Sequence, residues 1–275
     1  NIVAFTDLGE SSLHTQQNWG GTPRTVPDNN ANNLYSFIKT TPFRDLQQTS
    51  TVLEGQNGME GGSDFEKIES ARLLTSSEYT LNSALGYISL KSALNQDEVL
   101  AVAYEYTYNG QVYQVGEFST DQVSDSSAVS QNKAVALALK VLKSSANAPN
   151  KKNKGTWDLM MKNIYSLGAT SIQSDKFELY VMYRNDSVGT DVQYLNEGPI
   201  NGKQLLRVMD LDRLDQKHNA SPDGRFDFLE GITVYSSGGK IIFPVLEPFG
   251  SHLAYMLGND SRLVNKYCFQ ELYDS

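Results

Sequence analysis

The chain reads as mainly β: an antiparallel β-sandwich-like fold with long polar loops and one or two short helices. Three observations predict it. Val99 to Tyr108 is rich in β-branched and aromatic residues, and Asn109-Gly110, a strong hairpin signal, leads into a returning strand over Gln111 to Phe118. Tyr79-x-Leu81 followed by Gly86-Tyr87-Ile88-Ser89-Leu90 has the same grammar as Ile232 to Tyr235 followed by Gly239 to Phe243: strand, Gly-containing turn, strand. The third is composition, since 39% hydrophobic and 20% charged residues leave much of the chain as Asn, Gln, Ser, Thr and Gly. Two such hairpin blocks packed face to face would bury their apolar faces as a sandwich.

Taken in order, the chain divides into three stretches. Residues 1 to 63 form an extended, loop-rich segment in which turn formers dominate, expected to wrap the rest and be pinned by Trp19, Tyr35, Phe37 and Phe43. Residues 64 to 150 form a β-rich subdomain holding the Asn109-Gly110 hairpin. In it Phe65 to Leu74 fits helix or strand, while Ala134 to Lys143 alternates Val135, Leu137, Leu139 and Val141 as a strand does. Residues 151 to 275 form a second β-rich subdomain with core strands expected at Phe177 to Tyr183 and Leu205 to Met209. Helices are expected at Trp157 to Ser166, stopped by Gly168 in the C′ role, and at Arg262 to Tyr267 behind an Asp260/Ser261 cap.

Charge and motif content narrow the function. A net charge of -9 argues against nucleic acid, whose phosphates need a basic face; the one basic run, Lys151 to Lys154, reads as a solvated linker. No stretch approaches the roughly 18 apolar residues of a membrane helix. The single cysteine, Cys268, reads as a small buried hydrophobe between Tyr267 and Phe269. His14, His218 and His252 lack metal-ligand spacing, no G-x-S-x-G elbow occurs, and Gly238-Gly239 reads as a hairpin turn. Acidic pairs such as Glu66/Glu69 or Glu197 with Asp210 are expected by chance among 32 acidic residues, so a non-enzyme is expected.

The densest chemical signal is an acidic loop between residues 210 and 227. Asp210, Asp212, Asp215, Asp223 and Asp227 surround a Pro222-Asp223-Gly224 turn. Crowded carboxylates repel unless a cation or backbone amides receive them. Two readings stay open: a calcium loop, although its spacing departs from the EF-hand pattern, or aspartates that cap turns. Calcium is the only cofactor the sequence suggests.

The chain also resembles the SprA/Sov family, the outer-membrane translocon of the type IX secretion system of gliding and pathogenic Bacteroidetes. The likeness lies in NIVAFTDLGE (Asn1 to Glu10), the block from Glu78 to Tyr106, TWDLMMKNIYSLGA (Thr156 to Ala169), the DLDRLD to EPFGSHL stretch within Met209 to Leu253, and FQELYDS (Phe269 to Ser275). It covers the chain nearly end to end, with Ser11 to Gly62 and Asp121 to Asn150 weakest. Family members are giant barrels, so the resemblance implies a soluble, non-catalytic domain or fragment that is not itself membrane-spanning. It would help cap or gate the pore and contact the rest of the barrel, secreted cargo and other secretion-system subunits, with its place at the cell outer membrane, facing outward or towards the periplasm. Asp186-Ser187-Val188 is similar to the Asp-Ser/Thr-apolar sites at which these bacteria attach O-glycans. The alternative expectation is a carbohydrate- or protein-binding β-sandwich module of a cell-surface adhesin, for which fifteen tyrosines supply stacking surfaces.

Overall fold

Ile2–Phe5 (β1) is a short run of apolar residues, and Val3, Ala4 and Phe5 are fully buried, as a strand covered on both faces requires. In this computed structural model, which describes residues 1–11, 19–21, 24–40, 42–83, 85–120, 135–146, 155–185 and 189–274, the chain forms two compact units, 1–160 and 161–275. Strand slightly exceeds helix, 23% against 20%, and most of the sheets are small and antiparallel, so the fold is mainly β.

In the first unit β1 lies inside a four-stranded sheet with Phe65–Ile68 (β2), Leu137–Lys143 (β8) and Leu100–Val102 (β5), in the order β2-β1-β8-β5. The β1/β2 and β5/β8 pairings are antiparallel, but β1 and β8 run parallel, with Phe5 opposite Lys140. Parallel neighbours need a long connection, and some 130 residues separate these two strands. The alternating apolar residues of the segment ending at Lys143 do form a strand, and Phe65–Ile68 resolves as strand rather than helix.

Residues 24 to 62 depart most from expectation. Instead of an extended wrap they hold helices at Leu34–Thr40 and Leu46–Ser50, the second running into a wider π-helical turn over Thr51–Gln56. Leu34, Ile38, Phe43, Leu46, Val52 and Leu53 are buried here in one cluster with Val3, Phe5 and Phe65. Phe43 meets Phe5 edge-on at 5.6 Å, and Trp19, Tyr35 and Phe37 pack against the cluster from the side. Helices this short have little intrinsic stability and form because their apolar residues find the sheet, which no local pattern displays. Asp45 caps the second by accepting from the Gln47 amide.

Among the described residues, two hairpins of the first unit pair with no further strand. Tyr79–Asn82 (β3) and Tyr87–Leu90 (β4) register Tyr79 with Leu90 and Leu81 with Ile88, so one face is wholly apolar and the other carries Thr80 and Ser89. Tyr104–Tyr108 (β6) and Gln111–Val115 (β7) turn at Asn109-Gly110, both with positive φ (49° and 75°), the backbone a two-residue type I′ turn demands.

The second unit has a three-stranded antiparallel sheet of Ile164–Ser166 (β9), Lys240–Ile242 (β13) and Val234–Tyr235 (β12), in the order β12-β13-β9, and a separate hairpin of Tyr183–Asn185 (β10) and Thr190–Val192 (β11). The turn between β12 and β13 falls at Gly238-Gly239 as expected. Gly239 has φ +59°, and a Cβ there would sit 1.5 Å from the Ala169 carbonyl oxygen, so only glycine fits.

Three expectations are corrected in this unit or on its border. Leu205 to Met209 is not a strand: Leu205–Val208 is a helical turn burying Leu205, Leu206, Val208 and Met209 while Arg207 faces out, a spacing of three and four that a five-residue window disguises. The helix expected over Trp157 to Ser166 is only one turn, Gly155–Asp158, followed by strand β9, and Gly168 lies in the turn after that strand. Tyr165 is held there by edge contacts to Phe243 and Phe249, 5.5 and 5.7 Å away, which are remote in sequence. From Phe177 to Tyr183, Phe177, Leu179, Val181 and Tyr183 pack on the core while Glu178, Tyr180 and Met182 are exposed, yet only Tyr183 joins a ladder. Alternation was present, but a strand also needs a neighbour. The helix at Ser261–Tyr267 follows its Asp260 cap as expected; Ser251–Met256 is a further helix that the sequence pattern did not announce.

Among the described residues no helix is long and apolar enough to cross a membrane. Lys151 to Lys154, most of Asp121 to Asn150, His14 and Asp186-Ser187-Val188 lie outside the described residues.

Candidate functional site

Residues 203 to 229 carry the acidic loop, and each aspartate in it has a defined partner. Asp212, 2% exposed, accepts from the Asp223 and Gly224 amides at 3.0 and 3.1 Å, one to each carboxylate oxygen. The Asp223 side chain in turn accepts from the Arg225 amide at 3.1 Å. Asp227 accepts from the Arg213 and Leu214 amides at 2.6 and 3.2 Å, tying the two ends of the loop together. Asp215 accepts from the Lys217 and Asn219 amides at 2.8 and 2.9 Å and from the Asn219 side chain. Asp210, in the left-handed region at φ +59°, pairs with Arg213 at 2.8 Å.

The electrostatics follow from these contacts. Hydrogen bonds from Asn219, side chain first and then backbone, hold the Asp215 carboxyl below the usual carboxylate range. Burial pushes the Asp227 carboxyl up, opposed by its two amide bonds and reinforced by Asp212 and Asp223 nearby. Among the described residues no three His, Cys, Asp or Glu side chains are grouped to hold a metal ion. The amide bonds to Asp212, Asp215 and Asp227 are those of turn-capping, in which backbone N–H groups receive the negative charge.

Beside this loop lies a cleft of about 200 Å³. Pro222 and Met256 supply its accessible apolar lining above the buried Val208, Asp210 and Asp212 its acidic part. Lys203, Arg207 and Arg213 contribute three cations. His252, from the helix at Ser251–Met256, donates from Nε2 to the Val208 carbonyl at 2.8 Å and stands 3.9 Å from Asp210. The sequence singled out the aspartates but not this basic and apolar set, because Lys203, Arg207 and Met256 share no motif and meet only through the fold.

A second concentration of charge, also unforeseen, lies in the first unit and is buried. Lys140, 4% exposed, donates to the Thr6 carbonyl and pairs with Glu10 at 2.8 Å. Burial pulls the Lys140 ammonium below its ordinary range, while Glu10 and Asp7 oppose that shift. Arg44 forms a two-pronged contact with Glu117, 2.9 and 2.5 Å, and Glu117 also accepts from the Ala138 amide at 3.0 Å. Asn29 exchanges two bonds with the Gly116 backbone, and Asn32 donates to the Asp7 and Glu10 carbonyls.

The remaining candidates separate. Glu66 accepts from the Ser145 amide and hydroxyl, while Glu69 pairs with Lys67. Glu197 joins Lys266 and Tyr267, a different neighbourhood from that of Asp210. Cys268 is half-buried against the second core, and burial pushes its thiol up, as suits an inert packing residue. Comparison with protein-family models and with curated proteins returned no match.

Proposed function

We propose that the chain is a non-catalytic domain of an outer-membrane protein-secretion translocon of the type IX kind, lying at the cell surface and helping to cap or gate the pore while contacting cargo and partner subunits. The observation that carries this reading is where the family-like segments fall. The NIVAFTDLGE segment supplies the buried strand β1 and the Glu10 partner of Lys140; the stretch from Met209 to Leu253 supplies the amide-capping aspartates and much of the second core. Such residues maintain a shape and leave the charges engaged with backbone and partner side chains, which suits a scaffold better than an active site. A β-sandwich-like fold belongs to the same proposal.

The adhesin reading draws on one feature, the tyrosine ladder of the β6–β7 hairpin. Tyr104, Tyr106 and Tyr113 stack at 6.1 and 5.4 Å, and Tyr108 and Val112 are exposed near the turn. One experiment separates the two. In cells carrying the full-length protein, Phe5→Asp is expected to unfold the first core and stop protein export; normal export with loss of surface adhesion would replace the translocon reading with the adhesin one. An impermeant maleimide is expected to label Asn30→Cys on intact cells, since Asn30 is exposed. Labelling only after lysis would move the domain to the periplasm.

A further inference from the structure

The cleft beside the acidic loop holds charges that the loop does not use. Asp212 is occupied by two backbone amides and Asp210 by Arg213, whereas Lys203 and Arg207 are exposed and have no carboxylate partner among the described residues. Three basic and two acidic lining side chains leave one net positive charge on a protein of net charge -9. At physiological salt the overall field is screened beyond roughly 8 Å, so a ligand in the cleft responds to these local groups. A single net charge matches a carboxylate better than a doubly charged phosphate, and the Arg207 guanidinium offers the planar donor fork that carboxylates fit.

Size and lining narrow the ligand further. About 200 Å³ is below the roughly 300 to 1,000 Å³ of sites that enclose a whole small molecule, so the cleft suits one or two side chains of a longer chain. Pro222 and Met256, both partly exposed, would be of no use to a bare inorganic anion but give an apolar side chain a place next to the charge. Met adapts to varied shapes, a property of surfaces that accept peptides. The loop wall is fixed by the Asp212 and Asp227 bonds, so the cleft exists before a ligand arrives.

We infer that this cleft is a peptide subsite that takes the carboxylate of an acidic residue, with an adjoining apolar side chain, from a segment of a partner protein. The inference goes beyond the secretion reading and does not depend on it. Titrating the whole chain with acetyl-Leu-Glu-Leu-amide, its Gln counterpart and inorganic phosphate, followed by calorimetry, tests it. The Glu peptide is expected to bind at least tenfold tighter than the Gln peptide. The double variant Lys203→Ala/Arg207→Ala is expected to weaken it at least tenfold, and Arg207→Lys alone by less. Lys217→Ala, a loss of one positive charge in the acidic loop but off the lining, should change it less than twofold. Both altered positions are exposed, and an unchanged melting curve checks that the double variant is folded. Equal binding of the Glu and Gln peptides, full binding by the double variant, phosphate binding as tightly as the peptide, or no peptide binding at millimolar concentration would each overturn it.

Discussion

The two units use carboxylates in opposite ways. In the first, Glu10 and Glu117 lie against cations inside the fold, and removing a partner strands a charge away from water. In the second, Asp215 and Asp227 of the 210 to 227 loop receive backbone amides near the surface, where water can replace a lost partner, and only Asp212 among the five loop aspartates is buried. A run of acidic residues in sequence therefore marks the cheaper arrangement, and isolated charges next to apolar strands mark the costlier one.

The sharpest way to break that contrast is Arg44→Ala. It leaves Glu117, whose side chain is 6% exposed, without its guanidinium, and should cost about 3 kcal/mol, the low end for a buried pair because Arg44 itself keeps 24% of its exposure. Trp19 and Trp157 both lie in the first unit, so a fall in the denaturant midpoint followed by tryptophan fluorescence reads this loss directly. A loss under 1 kcal/mol would mean that water reaches Glu117.

Asp212→Ala comes next, at about 2 kcal/mol, since two amides lose their acceptor beside a buried side chain. It should lower the melting transition seen by tyrosine and circular dichroism and leave the tryptophan transition in place. Equal shifts of both would show that the units do not melt separately.

Smaller effects should differ in sign with pH. The Asp215 carboxyl is depressed, so its contribution is present above about 3.8, the ordinary value, and is lost as pH falls through the folded value. The Asp227 carboxyl is raised, so the folded state holds its proton more tightly, and stability declines as pH rises from 3.8 through the folded value. Relative to the wild type, Asp215→Asn should look worse at pH 7 than at pH 3, and Asp227→Asn should show the reverse trend. Parallel trends in urea melts at the two pH values would contradict the assignment of amide-held and buried roles.

The smallest expected effect is that of calcium. If backbone amides already satisfy the loop, millimolar calcium should raise the melting temperature of the second unit by less than about 1 °C; a rise of several degrees would restore the calcium reading through ligand linkage.

Local features were legible where local chemistry decides. The Asn109-Gly110 turn, the Asp260 cap and the strand ending at Lys143 needed only neighbours within a few residues. Part of the candidate site was legible for the same reason, because Asp215 and Asn219 or Asp223 and Arg225 bond within one turn. Its basic and apolar partners were not, since His252 reaches Val208 from 44 residues away. The short helices between Leu34 and Ser50 were hidden by Asn-rich surroundings and exist through contact with β1.

By itself the sequence determined a mainly β chain, the principal hairpins, an acidic loop and a net negative charge, because periodicity, turn residues and net charge act over short range or by simple addition. Tertiary structure alone decided that β1 pairs in parallel with β8, that Leu205–Val208 coils, that Lys140 is buried beside Glu10, and that Lys203 and Arg207 share a cleft with Met256. Each of those depends on which remote surface is available to bury an apolar group or receive a charge, and that is a property of the assembled fold.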